Sequence, residues 1–145
     1  MPQNIHATTV DIKGAGILIT GPSGSGKSDL ALRLIQNKNA VLVADDQTIL
    51  YLENKTLKAH APQNIQGLLE VRNIGIIHFP YQETSIRLVV ELIKEDTIDR
   101  LPPPLFFNFE NISLPLIKLN AFEASAPDKI VVKLKAVLEE KNFKE

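Results

Sequence analysis

The sequence predicts a single α/β domain with a mixed sheet and a C-terminal helix, and three observations lead there. Short runs of Val, Ile and Leu recur along the chain at strand length. One of them, Ile17-Leu18-Ile19, runs into the octapeptide Gly21-Pro22-Ser23-Gly24-Ser25-Gly26-Lys27-Ser28, too rich in glycine for the interior of a strand or helix. Two helical patterns complete the set, one directly after the octapeptide and one closing the chain.

Taken in order, Val10 to Thr20 reads as two strands separated by a turn at Gly14-Ala15-Gly16. From Lys27 to about Lys38, Leu30, Ala31, Leu34 and Ile35 recur at spacings of three and four, which is one buried helix face. Asn37-Lys38-Asn39 stops that helix, and Ala40 to Ala44 reads as a buried strand ending on Asp45-Asp46. Ile49 to Leu52 and a segment near Leu57 form an expected hairpin around Glu53-Asn54-Lys55, followed by a polar loop from Ala61 to Gln66. Leu68 to Val71 and Ile74 to Phe79 are strand-like, interrupted by Arg72-Asn73, and Ile86 to Ile93 is a core strand. Asp96 to Leu105 contains Pro102-Pro103-Pro104 and is expected as exposed loop. Ile112 to Leu119 is a further strand. Ser125-Ala126-Pro127-Asp128 has a capping-box pattern opening a helix with Ile130, Val131, Leu134, Val137 and Leu138 inward.

Composition narrows the function. The 145 residues suit one domain with a real core, and the 44% hydrophobic and 23% charged residues are those of an ordinary globular protein. A net charge of -1 argues against a nucleic-acid binder that works through a broad cationic face. With no cysteine, disulfides, thiolate zinc sites and cysteine nucleophiles are excluded. The N-terminus lacks a basic and apolar leader, and no apolar run reaches bilayer length, so a cytoplasmic protein without membrane partners is expected.

The octapeptide matches G-x-x-x-x-G-K-[ST] at every fixed position, the P-loop pattern. Its glycines let successive backbone N–H groups face phosphate oxygens, and the helix behind adds its positive end. Lys27 has the reach for β- and γ-phosphates, and the Ser28 hydroxyl for Mg²⁺. Asp45 and Asp46, at the end of a buried strand, are placed to hold Mg²⁺ or to act as a base, and two adjacent carboxylates are able to divide these tasks. Read alone, His6 is an exposed residue near the terminus, Glu70 and Arg72 a surface ion pair, Arg100 a solvated loop residue, and His60 and His78 structural. Lys133, Lys135, Lys141 and Lys144 read as a solvated face.

Three stretches and one residue then acquire a common meaning. Gly14 to Ser28, Leu42-Val43-Ala44-Asp45-Asp46, and Leu69-Glu70-Val71-Arg72-Asn73-Ile74-Gly75-Ile76-Ile77 resemble, in this order, the catalytic domain of the HPr kinase/phosphorylase family, and His6 falls where that family has a histidine ahead of its P-loop. The resemblance implies a fold of that catalytic-domain type spanning residues 1–145 without the family's N-terminal regulatory domain. It implies ATP and Mg²⁺ as cofactors and a serine of the phosphocarrier protein HPr as acceptor, with dephosphorylation of that serine as the reverse reaction. Asp46 would be the general base, His6 its neighbour, Lys27 and Ser28 the nucleotide and metal contacts, and Glu70 a further metal holder, which leaves Asp45, of the two adjacent carboxylates, for the metal. Arg100 would match a loop arginine on the transferred phosphate, and a homohexamer would be the assembly.

The chain also departs from the family pattern. Asp29 stands where Glu is common, and Asn73 replaces the signature glycine. Leu114 to Asn120 takes the place of a Pro- and Arg-containing stretch linked to dephosphorylation, so the kinase direction is the one expected to be retained. Two other functions suit a P-loop: a small-molecule kinase, and an ATP-binding regulator in which Asp46 holds metal only.

Overall fold

A computed structural model describes residues 1–94 and 98–144, with side chains described as far as residue 140. Asp96 and Thr97 of the expected loop, and the side chains of Lys141 and Lys144, lie outside the described residues. In chain order the strands are β1 (Gln3–Ile5), β2 (Ala7–Ile12) and β3 (Ala15–Thr20), then helix α1 (Lys27–Lys38). There follow β4 (Val41–Ala44), β5 (Thr48–Glu53), β6 (Thr56–His60), a 3₁₀ turn (Gln63–Ile65), β7 (Leu68–Val71) and β8 (Gly75–His78). The chain continues through β9 (Thr84–Leu92), β10 (Leu105–Phe109) and β11 (Ile112–Leu119) to helix α2 (Ala126–Lys144).

One mixed sheet runs β1-β5-β6-β9-β3-β2-β4, and β11 with its partner β10 joins it at β9. The nine-residue strand β9 makes this branch possible. Its first residues pair with β6 and its last four with β11, while β3 lies along its other edge. β3, β9 and β11 are parallel to one another, and β2 is antiparallel to both β3 and β4. The C-terminal ends of β4, β3, β9 and β11 therefore meet at one edge of the sheet, where open α/β sheets hold their ligands.

The core has two parts because the central strands are covered on both faces. Val10, Ile17, Ile19, Leu88 and Val90 face α1 and α2, meeting Leu30, Leu34, Ile130 and Leu134. Leu18, Val43, Ile86 and Val89 face the other way, into a second cluster closed by Leu50, Leu57 and Phe109. Such two-sided burial explains why these strands read as continuous apolar runs and not as alternating ones.

Several expected boundaries move by a residue or two. The turn before β3 is Lys13-Gly14, both at positive φ, and Ala15 and Gly16 already pair with β2. Asn54-Lys55 makes the equivalent two-residue turn between β5 and β6. β10 is missing from the sequence reading, although Leu105-Phe106-Phe107-Asn108-Phe109 is an aromatic-rich run of strand length, and it pairs antiparallel with β11. The capping box gives way to a tertiary contact: Asp128 pairs with Lys38 of α1. No ion pair joins Glu70 to Arg72 among the described residues. His60 is half-buried with its ring edge-on to Tyr51, whereas His78 is exposed.

Candidate active site

The octapeptide leaves β3 at the sheet edge and enters α1 through Gly26, which has φ 97°. A methyl group at Gly26 would stand 2.9 Å from the Ala121 Cβ, so backbone angle and space both require glycine there. Lys27 is only 7% exposed, and its Nζ donates to the carbonyls of Gly21 at 2.7 Å and Pro22 at 3.1 Å. Burial pushes its pKa below the usual lysine range, and the nearby charges of Asp46 and Asp45 counter part of that shift.

The two adjacent carboxylates have different surroundings. Asp45 is 7% exposed and accepts three hydrogen bonds: from the Ser28 hydroxyl at 2.5 Å, from the Thr8 hydroxyl at 3.0 Å and from the Glu70 amide at 3.1 Å. Asp46 sits in the left-handed region at φ 70°, and its side chain is 62% exposed. Its carboxylate lies 3.2 Å from His6 Nδ1, and its amide donates to the Thr8 hydroxyl at 3.2 Å. The reversal at Asp46 accompanies a change from a buried carboxylate to an exposed one on the same cavity wall.

These groups line one open cavity of about 480 Å³. The structure brings together His6, Ser23, Gly24, Gly26, Lys27, Ser28, Asp45, Asp46 and Glu70 on its wall. Gly21 and Pro22 contribute the carbonyls that hold Lys27, and the buried Ser25 keeps its side chain inside the loop. Arg100 is placed elsewhere. It lines a second cavity of about 950 Å³ with Lys118, Lys133 and the three prolines.

Reading the sequence missed several participants. Thr8 bonds to both Asp45 and Asp46 from across the sheet, and Phe122 and Leu32 also line the cavity. Lys94 brings its Nζ to 3.8 Å from where a Gly24 side chain would begin. The same cavity wall includes Arg72, a residue the sequence reading paired with Glu70. A hydroxyl residue two positions after His6 carried no signal, because its partners are nearly forty positions away.

The donor set suits a hard cation. Ser28 and Asp45 bring hydroxyl and carboxylate oxygens into contact, with Glu70 on the same wall. No cluster of three or more His, Cys, Asp or Glu residues among the described residues forms a closed metal cage. A Mg²⁺ ion needs no such cage, since it keeps several waters and is usually completed by substrate phosphates.

A parallel strand leading through a glycine-rich loop into a helix, with a carboxylate from the end of β4, two places along the sheet, bonded to the loop serine, defines an α/β domain of the P-loop class. The sequence matches the HPr Serine kinase C-terminal domain family over residues 1–137, and the chain belongs to that family. It is 43% identical over 105 residues to the HPr kinase/phosphorylase of Acidovorax sp. (strain JS42), covering 66% of this chain and 33% of the relative. It is 37% identical over 109 residues to that of Bordetella pertussis (strain Tohama I), covering 68% of this chain and 35% of the relative. The chain thus spans about a third of the length of the curated relatives it matches. Its fold is similar to the Hpr(Ser) kinase/phosphatase from Coxiella burnetii, with a TM-score of 0.82 at 26% identity over 98% of this chain and 94% of that one. Among the described residues, no helix is long and apolar enough to cross a membrane.

Proposed function

We propose that this chain is an ATP- and Mg²⁺-dependent kinase that phosphorylates a serine of the phosphocarrier protein HPr in the cytoplasm. The observation that carries the reading is the different setting of Asp45 and Asp46. Asp45 is buried and bonded to Ser28, the position from which a carboxylate holds Mg²⁺ beside a P-loop, with Glu70 as a further oxygen donor. Bound there, the ion neutralises charge on the transferring phosphoryl group.

Asp46 is exposed, free of those bonds, and within reach of a hydroxyl presented from outside. It acts as the general base. As the serine oxygen bonds to the γ-phosphorus and the bond to the leaving ADP oxygen breaks, the serine proton passes to Asp46. His6, at 3.2 Å, orients that carboxylate. Lys27 and the loop amides hold the phosphate chain, and alignment with charge neutralisation supplies most of the rate. Family membership and the names of the relatives support HPr as the acceptor. The exposure of the Asp46 side chain suits an acceptor that is itself a protein. By the same resemblance the working assembly is a homohexamer.

The test is to incubate the purified chain with γ-labelled ATP, Mg²⁺ and HPr. Label on an HPr serine is the expected result. Bound ATP without label on HPr would overturn the kinase reading and leave a nucleotide-binding regulator.

A further inference from the structure

Phe122 is a large apolar side chain left 59% exposed, on a turn that is firmly held. The Phe122 amide donates to Asn120 Oδ1 at 2.9 Å, and the Glu123 amide closes the turn onto the Asn120 carbonyl at 3.2 Å. From α1, the Arg33 guanidinium donates to the Ala121 carbonyl and, at 3.3 Å, to the Glu123 carbonyl, while its Nε bonds to Asp29 at 3.1 Å. A planar guanidinium bridging two carbonyls fixes the turn against the helix, so the ring is a positioned surface and not a frayed loop tip. That surface adjoins the P-loop. A methyl group on Gly26 would lie 3.3 Å from the ring.

Sheet order decides which end of the cavity the ring occupies. The P-loop leaves from β3. On one side of it lie β2 and β4, whose ends carry His6, Asp45 and Asp46. On the other side lie β9 and β11, and the turn after β11 carries Phe122. A phosphate chain lying on the loop with its reacting end at the carboxylates therefore leaves by the Phe122 flank. Leu32, one turn into α1, adds an apolar contact to the same cavity.

We propose that Phe122 is the platform on which the aromatic base of the donor nucleotide stacks, so that this ring supplies the nucleoside share of donor affinity. The proposal rests on reading the cavity as a nucleoside triphosphate site. An exposed aromatic face beside a phosphate cradle is the minimal device for holding a flat heterocycle, and it works without hydrogen bonds to the base edge.

Calorimetric titration of the intact chain with Mg-ATP and, separately, with inorganic tripolyphosphate separates the two readings. Phe122→Ala should weaken ATP binding by about tenfold or more, while tripolyphosphate binding stays within about twofold. Phe122→Leu, which keeps apolar bulk without the aromatic face, should show the same loss, and Phe122→Tyr should restore ATP affinity. Unchanged ATP affinity in Phe122→Ala, or equal losses for both ligands, would overturn the platform. A wild-type chain that binds ATP no more tightly than tripolyphosphate would also overturn it while leaving the phosphate site intact. Failure to bind either ligand would overturn the phosphate site and this inference with it.

Discussion

Asp45 and Asp46 carry the same side chain one position apart, and their surroundings differ. The three donors on Asp45 stabilise a buried carboxylate that would otherwise be costly, whereas the exposed Asp46 carboxylate meets the His6 ring. Asp46→Asn should therefore keep ATP and Mg²⁺ binding and lose transfer to serine by at least about a hundredfold, as the loss of a general base does. Titrating Mg²⁺ in the variant checks this, and a joint collapse of metal affinity and rate would make Asp46 a metal holder instead. Lys27 supplies a second prediction. Its pKa is lowered by burial, so the folded chain holds that proton less tightly than the unfolded chain. Below the folded pKa the ammonium is charged in both states, and the cost of burying it is fully present. This cost fades as pH rises toward the ordinary value of 10.5. Lys27→Met should abolish ATP binding and remove the rise in stability that the wild type shows as pH approaches 10.5, while the lysine's bonds to the Gly21 and Pro22 carbonyls are lost at every pH. Thermal melts across that range, with ATP titrations at neutral pH, measure both effects.

The loop and α1 form a unit whose geometry depends on glycine at its hinge. Gly26 combines φ 97° with a neighbour, Ala121 Cβ, that leaves no space for a side chain. Gly26→Ala should cost about 1–3 kcal/mol of stability through a strained left-handed residue and should weaken ATP binding together with it. Denaturant unfolding and ATP titration of the same preparation are the checks, and wild-type behaviour in both would show that the loop relaxes freely. The element-level reading of the sequence succeeded where signals are local. The spacing Leu30, Ala31, Leu34 located α1 to the residue, and Asn39 ends it in a left-handed conformation. It failed for β10, an aromatic-rich run of strand length whose alternating burial follows from its pairing with β11.

The arrangement of the two cavities bears on the direction of the reaction. Arg100 and Lys118 line the larger cavity, while Lys27 and Arg72 are on the P-loop cavity wall and Lys94 lies near Gly24. A phosphate ion entering beside phosphoserine must approach a site that is already anionic, and among the described residues no pair of arginines lines the P-loop cavity. The forward reaction should therefore proceed and the phosphate-dependent reverse be weak. Pyrophosphate release from serine-phosphorylated HPr at millimolar phosphate, compared with the forward rate, measures this. Comparable rates would overturn it.

The sequence by itself determined the chemistry available to this protein: a phosphate loop between strand and helix, and two carboxylates at a strand end. Those features are contiguous, so short-range steric and hydrogen-bonding rules suffice to recognise them. Tertiary structure alone decided what surrounds them. Sheet pairing carries Thr8 beneath both aspartates, places His6 against Asp46 and sets Phe122 over Gly26 from almost a hundred residues away. It also leaves Arg100 beside a different cavity. Each of these placements follows from which strands lie next to which, and strand order is a property of the whole packed core that no local window of residues contains.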